Sequence, residues 1–145
     1  MTCTFFGHSQ IHNYNEVISK LYDAVYEMVE EREVSDFLIG NNGTFDRMVL
    51  NVLRQISKSH KISYFVVLSY LNVKEDKEKY KIGETVYPEL LEKTPMRYAI
   101  DKRNRWMIGK SDIVVTYVNT CIGGAAKYAE ICEKKGMEII KLGKI

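Results

Sequence analysis

FLIGNNGTFDR, residues 37–47, runs three apolar residues into two glycines that bracket two asparagines, then a threonine and an acid–base pair. A β-hairpin, a strand-to-helix turn and a loop shaped for an anion could each carry that pattern. A hairpin needs a second strand after its turn. From Thr44 onward, however, Phe45, Met48, Val49, Val52, Leu53 and Ile56 recur at i, i+3, i+4, i+7, i+8 and i+11, which is one face of a helix. The hairpin reading falls. What remains is strand, loop, helix, with the loop either a well-capped turn or a backbone cradle. Glycines let the chain turn sharply and approach a ligand closely, and a helix N-terminus offers unpaired N–H groups to an anion. Thr44 can cap the helix and still offer a hydroxyl.

The same alternation extends in both directions. TCTFFG (2–7) reads as a strand ending in Gly7, and residues 13–33 place apolar side chains at 17, 18, 21, 22, 25, 28 and 29, a helical spacing. ISYFVVLSY (62–70) is a nearly continuous apolar run, as expected of a strand covered on both faces. Residues 97–108 read as a helix, DIVVTYV (112–118) as a buried strand, Gly124–Lys135 as a helix stopped by Gly136, and MEIIKL (137–142) as the last strand. Residues 72–97 differ in texture. They hold both prolines, Pro88 and Pro95, and a charged run, and read as an excursion with at most a short helix at PELLEK. Strands alternating with helices predict one α/β domain over 1–145. Its central sheet is mostly parallel, of about five strands, with helices on both faces and ligands at the carboxyl ends of the strands.

Bulk composition narrows the function classes. The chain has 145 residues, 46% hydrophobic, with 21 basic against 19 acidic side chains. A net charge of +2 is too balanced to advertise a nucleic-acid protein, so nucleic acid is not expected as a partner, although a local basic patch is not excluded. MTCTFFGHS has no signal-peptide pattern, and the apolar run YFVVLSYL is too short to span a bilayer. No membrane association is expected. Cys3, Cys121 and Cys132 show no metal-type spacing and read as reduced thiols in a cytoplasm; no metal site or cofactor is expected.

Two further loops resemble the first. VNTCIGGAAKYAE (118–130) sets Gly123 and Gly124 at a helix start, and FFGHSQIH (5–12) sets Gly7 and His8 at the end of the first strand. Loops of this kind facing one cleft suit a phosphate or sugar-phosphate, while their spacing matches neither the dinucleotide G-x-G-x-x-G nor a Walker loop. On the helix at 97–108, Ile100, Arg103, Asn104 and Met107 share a face. A guanidinium among apolar neighbours needs a partner, which an acid or a ligand phosphate could supply. His8 could serve as acid or base, or simply hydrogen-bond across its turn. His12 and His60 have no metal-ligand company, and Cys121 has no histidine paired with it in sequence. Trp106 and the ten tyrosines could stack on a base or fill core and surface.

Taken in order, TCTFFGHS, GNNGTFDRMV, YPELLEKTPMRYAIDKRNRWMI and SDIVVTYVNTCIGGAAKYAE resemble the SLOG superfamily, named for DNA-processing protein A (Smf) and the LOG cytokinin-activating enzymes. The resemblance covers essentially the whole chain and is greatest to small stand-alone bacterial and phage members. It implies a Rossmann-like fold with a pocket for a nucleotide or nucleotide-derived ligand. Gly7 and His8 would begin that pocket, and Gly40, Asn42, Gly43, Thr44 and Asp46 would form one wall. Arg103 and Asn104 would enter from the side, and Gly123 and Gly124 would cradle a phosphate. Relatives often read GHR where this chain has Gly7-His8-Ser9. The LOG signature G-G-x-G-T-x-x-E is here GGAAKYAE, which keeps the glycine pair and Glu130 but not the Gly-Thr half.

The resemblance therefore implies binding of a nucleotide-derived small molecule, as a sensor or sequestering module, more directly than it implies catalysis. An enzyme cleaving a nucleotide N-glycosidic bond would need a carboxylate near the ribose, for which Asp46 and Glu130 are the candidates. A single-stranded nucleic-acid binder is the third reading, by analogy with the DNA-processing branch. On the first reading, Arg103→Ala should abolish binding and leave the fold intact. Relatives commonly self-associate, which implies a homodimer.

Overall fold

The computed structural model describes all 145 residues. Six parallel strands alternate with helices: β1 (Thr2–Gly7), α1 (Tyr14–Glu31), β2 (Asp36–Ile39), α2 (Thr44–Ser57), β3 (Ser63–Val67), α3 (Val73–Lys79), β4 (Thr85–Val86), α4 (Met96–Lys110), β5 (Ile113–Tyr117), α5 (Gly124–Lys134) and β6 (Glu138–Lys141). A 3-10 turn, Glu89–Lys93, precedes α4. The sheet order is β4-β3-β2-β1-β5-β6, all parallel, a Rossmann-like α/β arrangement. The chain builds outward from β1 to β4, crosses back through α4, and resumes beside β1 with β5. Between β1 and β5 the direction of winding reverses, and in open α/β sheets that switch point is where ligands bind.

Period-two alternation divides the side chains between two cores. Cys3 and Phe5, Phe37 and Ile39, and Ile113 and Val115 face α1 and α2. Phe6, Leu38, Val67 and Val114 face α4 and α5. The first core is the larger, with 21 buried residues in one cluster against 8 in the second. The deficit on the second face has a cause in α4, which turns Arg103 and Asn104 inward where an ordinary core helix would place apolar residues.

The sheet has six strands where the sequence suggested about five. The sixth, β4, is two residues long, too short for period-two alternation to register, and lies inside the charged excursion. β3 is shorter than the apolar run 62–70 and is not covered on both faces, since Phe65 is 38% exposed. Only the two-residue β4 lies beyond it in the sheet.

Glu84 ties the excursion down. It is 4% exposed and accepts from Arg54 Nε (2.9 Å), Arg54 Nη2 (2.5 Å), Tyr64 Oη (2.6 Å) and the Lys81 N–H (3.1 Å). Burial alone would raise its pKa, but these bonds, led by Arg54, pull it down from 4.5 to about 2. A depressed carboxyl contributes stability that is fully present above its unfolded value and lost as pH falls through its folded one. The urea midpoint of the wild type should therefore fall between about pH 4.5 and pH 2, and Glu84→Gln should lack that part of the fall. Parallel curves for the two proteins would show that the ion pair carries no linkage.

Candidate functional site

A cleft of about 690 Å³ opens at the switch point, over the carboxyl ends of β1 and β5. Gly7, His8, Gly40, Asn42, Asp46, Arg103, Asn104, Gly123 and Gly124 all line it. Nine of the twelve residues singled out from the sequence thus meet around one space. Gly43, Thr44 and Glu130 do not line it.

The loop after β2 is held from both sides. Gly43 has φ +95°, and a Cβ there would lie 2.5 Å from Ser9 Cα, so this position requires glycine for both conformation and space. The close approach puts two loops in register. The Thr44 N–H donates to Ser9 O (2.9 Å) and the Phe45 N–H to His8 O (3.4 Å). Two of the donors at the start of α2 are therefore spent within the protein and not free for an anion. Gly43, not Thr44, is the N-cap, and the Thr44 hydroxyl accepts from Arg47 (3.1 Å). Asp46, in the first turn of α2, accepts the Asn42 N–H through Oδ2 (2.9 Å). The loop opened by Gly40 is a capped turn that forms a wall of the cleft.

Arg103 is not ion-paired with an acid of the fold. The side chain is 1% exposed and its guanidinium donates to four neutral acceptors: Asn104 Oδ1 (2.7 Å), Asn41 Oδ1 (2.9 Å), Val67 O (2.8 Å) and Asn42 Oδ1 (2.6 Å). A guanidinium has five N–H groups, so one remains. Burial lowers the Arg103 pKa from its ordinary value, and the charge of Asp46 works against that shift. Arg103 and Asp46 flank Gly40 together; a Cβ on that glycine would sit 3.0 Å from Asp46 Oδ2 and 3.1 Å from Arg103 Cζ. Burial also lifts the Asp46 carboxyl to about 6, against the Asn42 N–H and the charges of Arg103 and Arg47.

The start of α5 is different. Gly123, at φ +106°, is exposed and uncrowded, and the N–H groups of Gly124, Ala125 and Ala126 have no acceptor in the fold. These donors carry the positive end of an 11-residue helix to the cleft wall. Glu130 sits further along α5, exposed and paired with Lys134 at 3.0 Å. Asp46 is therefore the one carboxylate of the two candidates that reaches the cleft.

Sequence reasoning missed Asn13, Tyr117 and Asn119. The Asn119 side chain donates to Tyr117 Oη (2.9 Å), which donates to Asn13 Oδ1 (3.1 Å). Asparagines at a strand end and a helix start read as ordinary turn residues, and no spacing links them.

Comparison with solved structures places this fold. DNA processing protein A from Streptococcus pneumoniae superposes with a TM-score of 0.70 at 12% identity, over 97% of this chain and 49% of that one. The fold is similar to that of DNA processing protein A. The Helicobacter pylori protein of the same name, whose structure concerns a single-stranded DNA binding mode, matches with a TM-score of 0.66 at 13% identity, over 97% of this chain and 64% of that one. Both belong to the superfamily whose motifs the sequence resembles, and this chain spans about half to two-thirds of their length. No family model matches the chain, and no curated protein matches it. The expectation that nucleic acid is not a partner is overturned by this likeness, because a protein of this fold binds single-stranded DNA. No helix is long and apolar enough to cross a membrane.

Proposed function

We propose that this chain is a SLOG-superfamily protein whose cleft binds a nucleotide or nucleotide-derived small molecule, with a phosphate resting on the start of α5. The observation that carries the reading is the set of unpartnered N–H groups at Gly124, Ala125 and Ala126, beside a cleft of about 690 Å³ at the switch point. That volume falls in the range of small-molecule sites, roughly 300–1,000 Å³. The remaining walls are rich in uncharged polar groups, among them Gln10, Asn13, Asn42 and Asn104, which suit a sugar or the edge of a base. The hydrolase reading retains one carboxylate, Asp46, where it had two.

A thermal-shift panel of nucleoside monophosphates, dinucleotides, ADP-ribose forms and cyclic dinucleotides tests the reading. A ligand at a hundred times its dissociation constant should stabilise by about 2.7 kcal/mol and raise the midpoint by about 5–10 °C. Gly124→Pro sharpens the test. Proline is tolerated at the first helical position but lacks the N–H. The variant should fold and lose most of the shift, whereas an unchanged shift would move the phosphate away from α5.

A second reading, single-stranded nucleic acid, has its own observations. The Helicobacter pylori neighbour binds such a strand, and α4 exposes Arg97, Lys102, Arg105 and Lys110 against one acid, Asp101. Balanced overall charge thus conceals an uneven surface. Retention of oligonucleotides at moderate salt, with a flat nucleotide panel, would select this reading.

A further inference from the structure

The backbone N–H of Asn119, in the loop after β5, donates to Nε2 of His8 across 2.8 Å. A backbone amide can only donate, so Nε2 must turn its lone pair toward it, and a neutral ring then carries its proton on Nδ1. Turning the ring over would set Cε1 against the N–H and forfeit the bond. The ring is fixed on its other side by Tyr117, edge to face at 5.8 Å between centroids, and the His8 N–H donates to Tyr117 O (3.3 Å). Asn119 is itself anchored, with its side chain donating to Tyr117 Oη (2.9 Å) and accepting the Lys144 N–H (2.9 Å). Nδ1 has no partner in the protein and is not a sealed polar atom, and His8 lies in the cleft wall.

We infer that His8 is a fixed neutral donor: Asn119 locks the Nδ1–H tautomer, and that N–H binds an oxygen of the ligand, selecting one that presents an unprotonated acceptor there. A phosphate or carbonyl oxygen meets the requirement. The inference rests on the nucleotide reading proposed above for the same cleft, and it assigns His8 recognition in place of acid–base chemistry.

The lock and the contact are separable by experiment. Nitrogen-15 NMR of the full chain at mildly alkaline pH should show His8 protonated at Nδ1 and bare at Nε2, and a dominant Nε2–H form would overturn the lock without any ligand present. For the contact, AMP and inorganic phosphate serve as probes on two variants. His8→Asn keeps a donor near the Nδ1 position, whereas His8→Gln keeps an acceptor near Nε2. AMP affinity should stay within about threefold in His8→Asn and weaken by roughly tenfold or more in His8→Gln. The thermal midpoint without ligand should rank the variants the opposite way, because only glutamine can still accept from Asn119. Equal or reversed affinities would overturn the donor role. If neither probe binds the wild type, the phosphate contact at His8 is overturned, while the wider nucleotide panel decides the nucleotide reading and the NMR result decides the lock.

Discussion

Replacing Arg103 with leucine should cost about 3–5 kcal/mol and lower the melting midpoint by about 10–15 °C, ligand or no ligand. The guanidinium is 1% exposed and supplies hydrogen bonds to Asn41, Asn42, Asn104 and the Val67 carbonyl. Leucine fills much of the space but donates nothing. At least two of those acceptors lie where water cannot replace the donor, and each orphaned group costs about 1–3 kcal/mol. Arg103→Lys should recover little, because one ammonium cannot reach four acceptors arranged around a planar fork. Thermal melts of the three proteins are the measurement. A shift under about 3 °C in Arg103→Leu would mean that the guanidinium is not the clamp it looks to be. The expectation that Arg103→Ala leaves the fold intact is thereby replaced. Loss of ligand binding in any Arg103 variant would follow from a slack wall and would not by itself place the guanidinium on the ligand.

The distinction between Arg103 as clamp and as ligand contact shows what the sequence carried. Its spacing with Ile100, Asn104 and Met107 was enough to put it on the inner face of α4, because helical periodicity is a local property. Its partners were not legible. Asn41 and Asn42 lie 62 and 61 residues away in sequence, and nothing local distinguishes an amide that accepts from arginine from one that faces water. The loop at Gly40 repeats the lesson. Its strand–glycine–helix form was readable, yet its fitness for an anion depended on whether the first N–H groups of α2 were free. Ser9 and His8, on a different loop, decide that. The α5 start carries the same kind of signal, Gly123-Gly124, but no neighbouring backbone takes its donors. Fold class was legible because each element announces itself within its own window. The site was legible only as a place, because its chemistry depends on contacts between loops.

Gly7→Ala should destabilise the protein by about 2–4 kcal/mol, far more than an ordinary glycine-to-alanine change on a strand. A Cβ on Gly7 would lie 2.3 Å from both Cγ and Cδ2 of Phe45, well inside contact distance. These atoms belong to the root and side of the ring, so no small rotation at the tip of a flexible chain relieves the clash. Phe45 has no room to retreat either, being fully buried and stacked on Tyr117 with centroids 6.1 Å apart. The added methyl must displace α2, whose first turn is bonded to His8 and Ser9, and so must disturb a wall of the cleft. The ring itself can be tested as the cause. Phe45→Leu alone should cost about 1–2 kcal/mol by shrinking a core side chain. If the clash is with the ring, the double variant should be more stable than the sum of the two single costs predicts, by about 1 kcal/mol or more. Additive costs would place the strain in the backbone of β1. Nothing then would tie Gly7 to Phe45, and the first glycine of the cleft would be required by the strand alone.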